Sequence, residues 1–149
     1  MAQTNDTWLS ELVALAFKEY DEDILAQRHE EALDAVWKKV RLELTQATEQ
    51  FNALVGCQFL SDTPYDSTSE QTAYVRLAAK FNKGIENVRA EVDRLNFAIR
   101  VVPDDSTREY ANKTFYVQLN SKRETELLCD GAVTEPSEIA RAMFRAVLE

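Results

Sequence analysis

The sequence predicts an α+β fold: long N-terminal helices forming an antiparallel hairpin, then a three-stranded antiparallel meander and a C-terminal helix. Three observations lead there. Leu33, Trp37, Val40, Leu44, Ala47, Phe51 and Leu54 are spaced alternately four and three apart, so they share one seam of a single helix. A second apolar series recurs at threes and fours from Tyr74 onward. From Asn96 the period falls to two. The chain has 149 residues with only three glycines and three prolines, which favours long uninterrupted elements. One domain over 1–149 is the expectation at this length. Its helical part covers about 5–95, its meander about 96–130 and its last helix about 134–148.

The elements follow in order. Asn5, Asp6 and Thr7 can cap a first helix. Trp8, Leu12, Leu15, Ala16 and Phe17 give that helix a broad apolar face, which Tyr20 to Asp23 interrupts with charge. A bend or break is expected near Glu22, unless Ile24 and Leu25 continue the helix. The seam helix should run from about Gln27 to Val55, with Gly56 taking the left-handed conformation that ends it. At 1.5 Å per residue it is roughly 43 Å long. A helix of that length calls for a second one beside it.

Ser67 and Glu70 fit a capping box, and Tyr74, Leu77, Phe81, Ile85, Val88, Val92, Leu95 and Ile99 continue at helical spacing. A helix from Thr68 to about Leu95 would match the first in length. Residues 57–67, with Pro64 and several small polar side chains, read as the loop between them. A rival reading makes 72–81 a strand, because Ala73, Val75, Leu77, Ala79 and Phe81 also alternate. Helix is preferred on alanine content and on continuation past Phe81. Gly84 is its weak point, costing about 1 kcal/mol in mid-helix.

Three alternating runs then read as strands: Phe97 to Val102 ended by Pro103, Phe115 to Asn120, and Glu124 to Cys129. Asn120 to Arg123 forms the last hairpin turn. Pro136, placed one turn before Ile139, Ala140 and Met143, opens the C-terminal helix, with Thr134 and Glu135 as candidate caps.

Charge and motifs limit function. The net charge is −9, from 26 acidic and 17 basic side chains. General nucleic-acid binding is disfavoured. Residues 1–66 hold 13 acids and 5 bases, so nearly all the excess lies in the N-terminal half. Asp21, Glu22, Asp23 and Glu30 make a solvated face, or a docking face for a basic partner. His29 is the single histidine, and neither a His-Glu-x-x-His nor a Glu-x-x-His pattern surrounds it. No metal site and no cofactor are expected. Asp104-Asp105 reads as a turn. Cys57 and Cys129 read as reduced, partly buried thiols without a basic neighbour. Three glycines leave no phosphate-cradling loop. The alternation of Glu86, Arg89, Glu91 and Arg94 is explained by pairing along one helix face. No signal peptide or membrane span is apparent, so the cytoplasm is the expected setting.

With no catalytic constellation, the expected function is a non-enzymatic interaction or assembly module. It would use the seam of Leu33, Trp37, Val40, Leu44, Phe51 and Leu54 and a protein partner or a second copy. One alternative is a small-molecule-binding domain or enzyme with a pocket between sheet and helices, lined from Tyr74, Arg100, Tyr110, Phe115 and Tyr116. Another is an acidic inhibitor or chaperone of a basic partner.

Overall fold

Helix α1 spans Thr7–Val55, and its 49 residues reach about 74 Å at the α-helical rise. It belongs to a computed structural model that describes residues 7–66, 73–82 and 84–149. The charged stretch Asp21 to Asp23 lies within α1. Gly56 ends the helix at φ +86°, and its N–H donates to the Asn52 carbonyl at 2.9 Å.

The remaining elements are seven strands, a short 3-10 segment at Ser106–Ala111 and a second helix. The strands are β1 (Leu60–Asp66), β2 (Ala73–Phe81), β3 (Gly84–Asp93), β4 (Ala98–Pro103), β5 (Lys113–Leu119), β6 (Thr125–Cys129) and β7 (Ala132–Thr134). They form one antiparallel meander in chain order. Helix α2 spans Pro136–Leu148 and starts on its proline, as the sequence predicts.

This overturns the expected helical hairpin and three-stranded sheet. Residues 73–93 form the β2–β3 hairpin instead of a second long helix. The deciding pattern is the alternation: Val75, Leu77 and Ala79 are buried on one face, while Tyr74, Arg76 and Ala78 lie on the other. The apparent helical series mixed residues from both faces. Gly84 does not interrupt a helix. At φ +133° it pairs with Phe81 at the hairpin end, a conformation costly for a side-chain-bearing residue. The capping box at Ser67 and Glu70 lies outside the described residues, as do Asn5 and Asp6. The expected loop around Pro64 is the edge strand β1, where a missing N–H is tolerated because that side can face solvent. Strands β4, β5 and β6 cover the three alternations read at 97–102, 115–120 and 124–129.

Both helices cover one face of the sheet. Leu33, Val36, Trp37, Val40 and Leu44 of α1 meet Val75, Leu77, Val88, Ile99, Val101, Phe115 and Val117 from the strands in one core. Ile139, Met143 and Val147 of α2 complete it. Ala79 and Ala90 are fully buried in this core. Alanine here belongs to strands facing helices, where a small side chain allows close approach.

Three devices fix α1 on the sheet. At its C-terminal end the Asn52 side chain accepts from Phe59 N–H (3.1 Å) and Leu60 N–H (2.9 Å). The same side chain donates to the Leu60 carbonyl at 2.8 Å. It thereby holds the turn into β1. In the middle, Arg94 of the β3–β4 turn meets Asp34 at 2.9 Å. Next to it, the His29 ring stacks flat on Phe97, centroids 3.6 Å apart, and its Nε2–H donates to the Val117 carbonyl. Phe97 itself sits at φ +49° and accepts from Val117 N–H at 2.8 Å.

Asn52→Ala removes all three bonds and leaves part-buried backbone groups unsatisfied. The expected loss is about 1–3 kcal/mol of unfolding free energy, measured by urea titration.

Candidate interaction surface

The α1 seam divides into two parts. Leu33, Val40 and Leu44 are fully buried and Trp37 nearly so, all within the chain's own core. Ala47 and Phe51 are half-buried, Phe51 packing against Phe59 and Phe144. Leu54 is 89% exposed. The residues read together as one surface therefore face partly inward and partly to solvent.

The acidic residues also divide. Asp21 pairs with Arg123 of the β5–β6 turn at 2.5 Å. Glu22, Asp23 and Glu30 are exposed on α1. The two ion pairs, Asp21–Arg123 and Asp34–Arg94, mark where the sheet reaches α1 from its turns. Each is partly exposed and adds little stability by itself.

Beyond Asp21 the helix continues toward its N-terminus as an overhang. Every described side chain from Thr7 to Ala16, and Lys18, is exposed. Trp8 is 60% exposed, and Leu9, Leu12, Val13 and Leu15 lie near half exposure. These residues occupy one broad helix face at spacings of three and four. Their apolar pattern was legible in the sequence. Their freedom from the core was not, because nothing in the sequence fixes where the sheet stops covering the helix. Contiguous exposed apolar side chains of this kind are uncommon on monomeric proteins.

A groove of about 610 Å³ runs between α1 and the edge strand β1. Trp37, Leu42, Pro64 and Val75 give it an apolar lining, and Lys38, Asp34 and Asp62 flank it. The Trp37 Nε1–H is buried without a hydrogen-bond partner among the described residues. Of the residues read as possible pocket liners, Phe115 is core and Tyr116 is half exposed on the opposite sheet face. The Tyr110 side chain lies outside the described ones.

The remaining candidates have structural explanations. Cys57 and Cys129 are free thiols. Burial pushes the Cys129 thiol above its ordinary pKa and the neighbouring Asp130 carboxylate adds to this, which makes it a weak nucleophile. Asp105 accepts from the Thr107 hydroxyl at 2.7 Å and from its N–H at 2.9 Å, a local turn that lowers its pKa. Among the described residues no group of three or more His, Cys, Asp or Glu is placed to hold a metal ion. No helix among them is long and apolar enough to cross a membrane.

In comparisons with known proteins, no family model, curated protein or solved structure matched this chain.

Asp93, at the end of β3, is the carboxylate with the clearest structural role. It accepts from the Asn96 side chain (2.8 Å) and N–H (3.3 Å) and pairs with Arg100 at 2.6 Å. The Asn96 side-chain bond leads in holding its pKa below the ordinary value; the Asn96 backbone bond and the Arg100 charge add to it against partial desolvation. A carboxyl whose pKa is depressed on folding stabilises the fold above its unfolded value. That contribution disappears as pH falls through the lower folded value. Thermal unfolding from pH 7 to pH 2 should therefore show Asp93→Asn less stable than wild type at neutral pH. The gap should narrow only below about pH 4.

Proposed function

We propose that this chain is a non-enzymatic assembly module that self-associates through the N-terminal overhang of α1. The occupant of the overhang's apolar stripe is the same stripe of a second copy. The observation that carries this reading is the joint exposure of Trp8, Leu9, Leu12, Val13 and Leu15 on a helix segment that the core does not use.

Charge selects the pairing. A parallel pair in register would set Glu11 against Glu11 and Asp21 to Asp23 against their own equivalents. An antiparallel pair centred near Leu12 and Val13 keeps the acidic stretches apart. It also sets Lys18 of each copy opposite Thr7 of the other, about one helical turn from Glu11. Such a contact is isologous, so it closes as a dimer and does not propagate.

Magnitudes set the affinity. The overhang is about 20 Å long, less than a standard interface requires. Five half-exposed apolar side chains per copy recover roughly 1 kcal/mol each on burial, about 10 kcal/mol for the pair. Association itself costs at least about 4 kcal/mol. The balance corresponds to a Kd in the micromolar range or weaker. A cytoplasmic setting accompanies this reading, since Cys57 is an exposed free thiol.

Sedimentation equilibrium over roughly 1–200 μM, bracketing that Kd, should show wild type passing from monomer to dimer. Leu12→Asp with Val13→Asp should stay monomeric throughout. Its unfolding midpoint at low concentration should equal that of wild type, because neither side chain touches the core. A wild type that remains monomeric, or a variant that still dimerises, contradicts the proposal.

A further inference from the structure

The sheet face turned away from the helices carries a cluster with unmet hydrogen-bonding capacity. Arg76 of β2 and Arg89 of β3 lie directly opposite each other in the ladder. Like charges at opposed positions repel. Both guanidinium carbons lie over the ring of Tyr74, at 5.9 and 5.5 Å from its centroid. Tyr74 in turn stacks on its cross-strand partner Tyr65, with centroids 4.9 Å apart.

Counter-charge is short at this place. Glu91 lies 3.3 Å from Arg89 Nε. Arg100, opposite Glu91, is paired with Asp93. Arg76 has no carboxylate partner among the described residues. Among the described residues the buried Arg76 Nε has no hydrogen-bond partner, and the buried Arg89 Nε has only its 3.3 Å ion pair with Glu91. Two guanidinium groups over one tyrosine ring, with one carboxylate at Arg89 and none at Arg76 among the described residues, leave an excess of positive charge at this place.

We infer that Arg76 and Arg89 form a binding site for a single phosphate group, flanked by the Tyr65–Tyr74 stack. A phosphate offers three or more acceptor oxygens and close to two negative charges, which matches two guanidinium forks. A further carboxylate would bring one charge to a place where Glu91 already supplies that chemistry. Extended polyanions are disfavoured, because Glu91 and Asp93 border the site and the whole chain carries −9. The group is therefore inorganic phosphate or a small phosphomonoester. The tyrosine pair would contact the organic part of the latter.

The site rests on the sheet and not on the α1 overhang, so it stands or falls independently of dimerisation. Its test is an NMR titration of the arginine Nε–Hε signals in the full chain, with sodium phosphate and with sodium chloride at matched ionic strength. The expected result is saturable shifts of Arg76 and Arg89 with phosphate, absent with chloride, while the Arg100 signal moves little. Phenyl phosphate binding more tightly than phosphate would assign a phosphomonoester to the site. Equal affinity would assign the free ion. Arg76→Gln supplies a second readout, since it relieves the repulsion. In chloride its unfolding midpoint should equal or exceed that of wild type. In saturating phosphate wild type should gain about 2–5 °C and the variant should not. Shifts that are absent, or identical in chloride, overturn the site, as does a variant that gains as much from phosphate as wild type.

Discussion

The fold depends on one contact: the apolar stripe of α1 between Ala32 and Leu44 lying on the inner face of the meander. Leu33, Val36, Trp37, Val40 and Leu44 are all removed from water there. At roughly 1.5–3 kcal/mol each, their burial is worth about 10 kcal/mol. That is comparable to the whole net stability of a domain of this size. A seven-stranded antiparallel sheet with one apolar face requires a cover, and α1 with α2 supplies it. The ion pairs at Asp21 and Asp34, the His29–Phe97 stack and the Asn52 turn set where the helix lies. They do not provide the main driving force.

The same contact explains the division of α1 into a covered part and an exposed part. The sheet and its turns meet α1 from Asp21 to Asn52. The N-terminal overhang is not covered, yet it carries apolar residues that a purely solvated helix would lack. In the proposed dimer this exposed segment would make the contact, and the acidic stretch beside it would limit how two copies approach. Opposite the helices, the outer sheet face collects arginines and tyrosines that the core does not need. Helix overhang and outer sheet face are thus separate surfaces on one scaffold.

The seam helix, three of the strands and the last helix were legible in the sequence, whereas the sheet as a whole was misread, and the reason is specific. The α1 seam, the strands around Ile99, Val117 and Leu127, and the proline-started α2 all carry unmixed periodicities. Residues 73–93 carry two at once. Their alternation is strict only where Val75, Leu77 and Ala79 face the core. Tyr74, Phe81 and Ile85, drawn from other positions, imitate a helical repeat. Alanines at 79 and 90 look like helix formers, although their small size serves helix-on-sheet packing. The Arg76–Arg89 pair could not be seen at all before the strand register was known, since twelve residues of chain separate the two. The overhang was visible as an apolar face, but its exposure depends on where the sheet ends.

Hydrogen exchange along α1 in dilute full-length protein tests the central claim most directly. If burial under the sheet organises the helix, amides from about Leu33 to Leu44 should exchange only through global unfolding. Those from Leu9 to Ala16 should exchange orders of magnitude faster, through local opening. Uniform protection along the whole helix in the monomer would contradict the account, because it would mean that the overhang is held by contacts the structure does not contain.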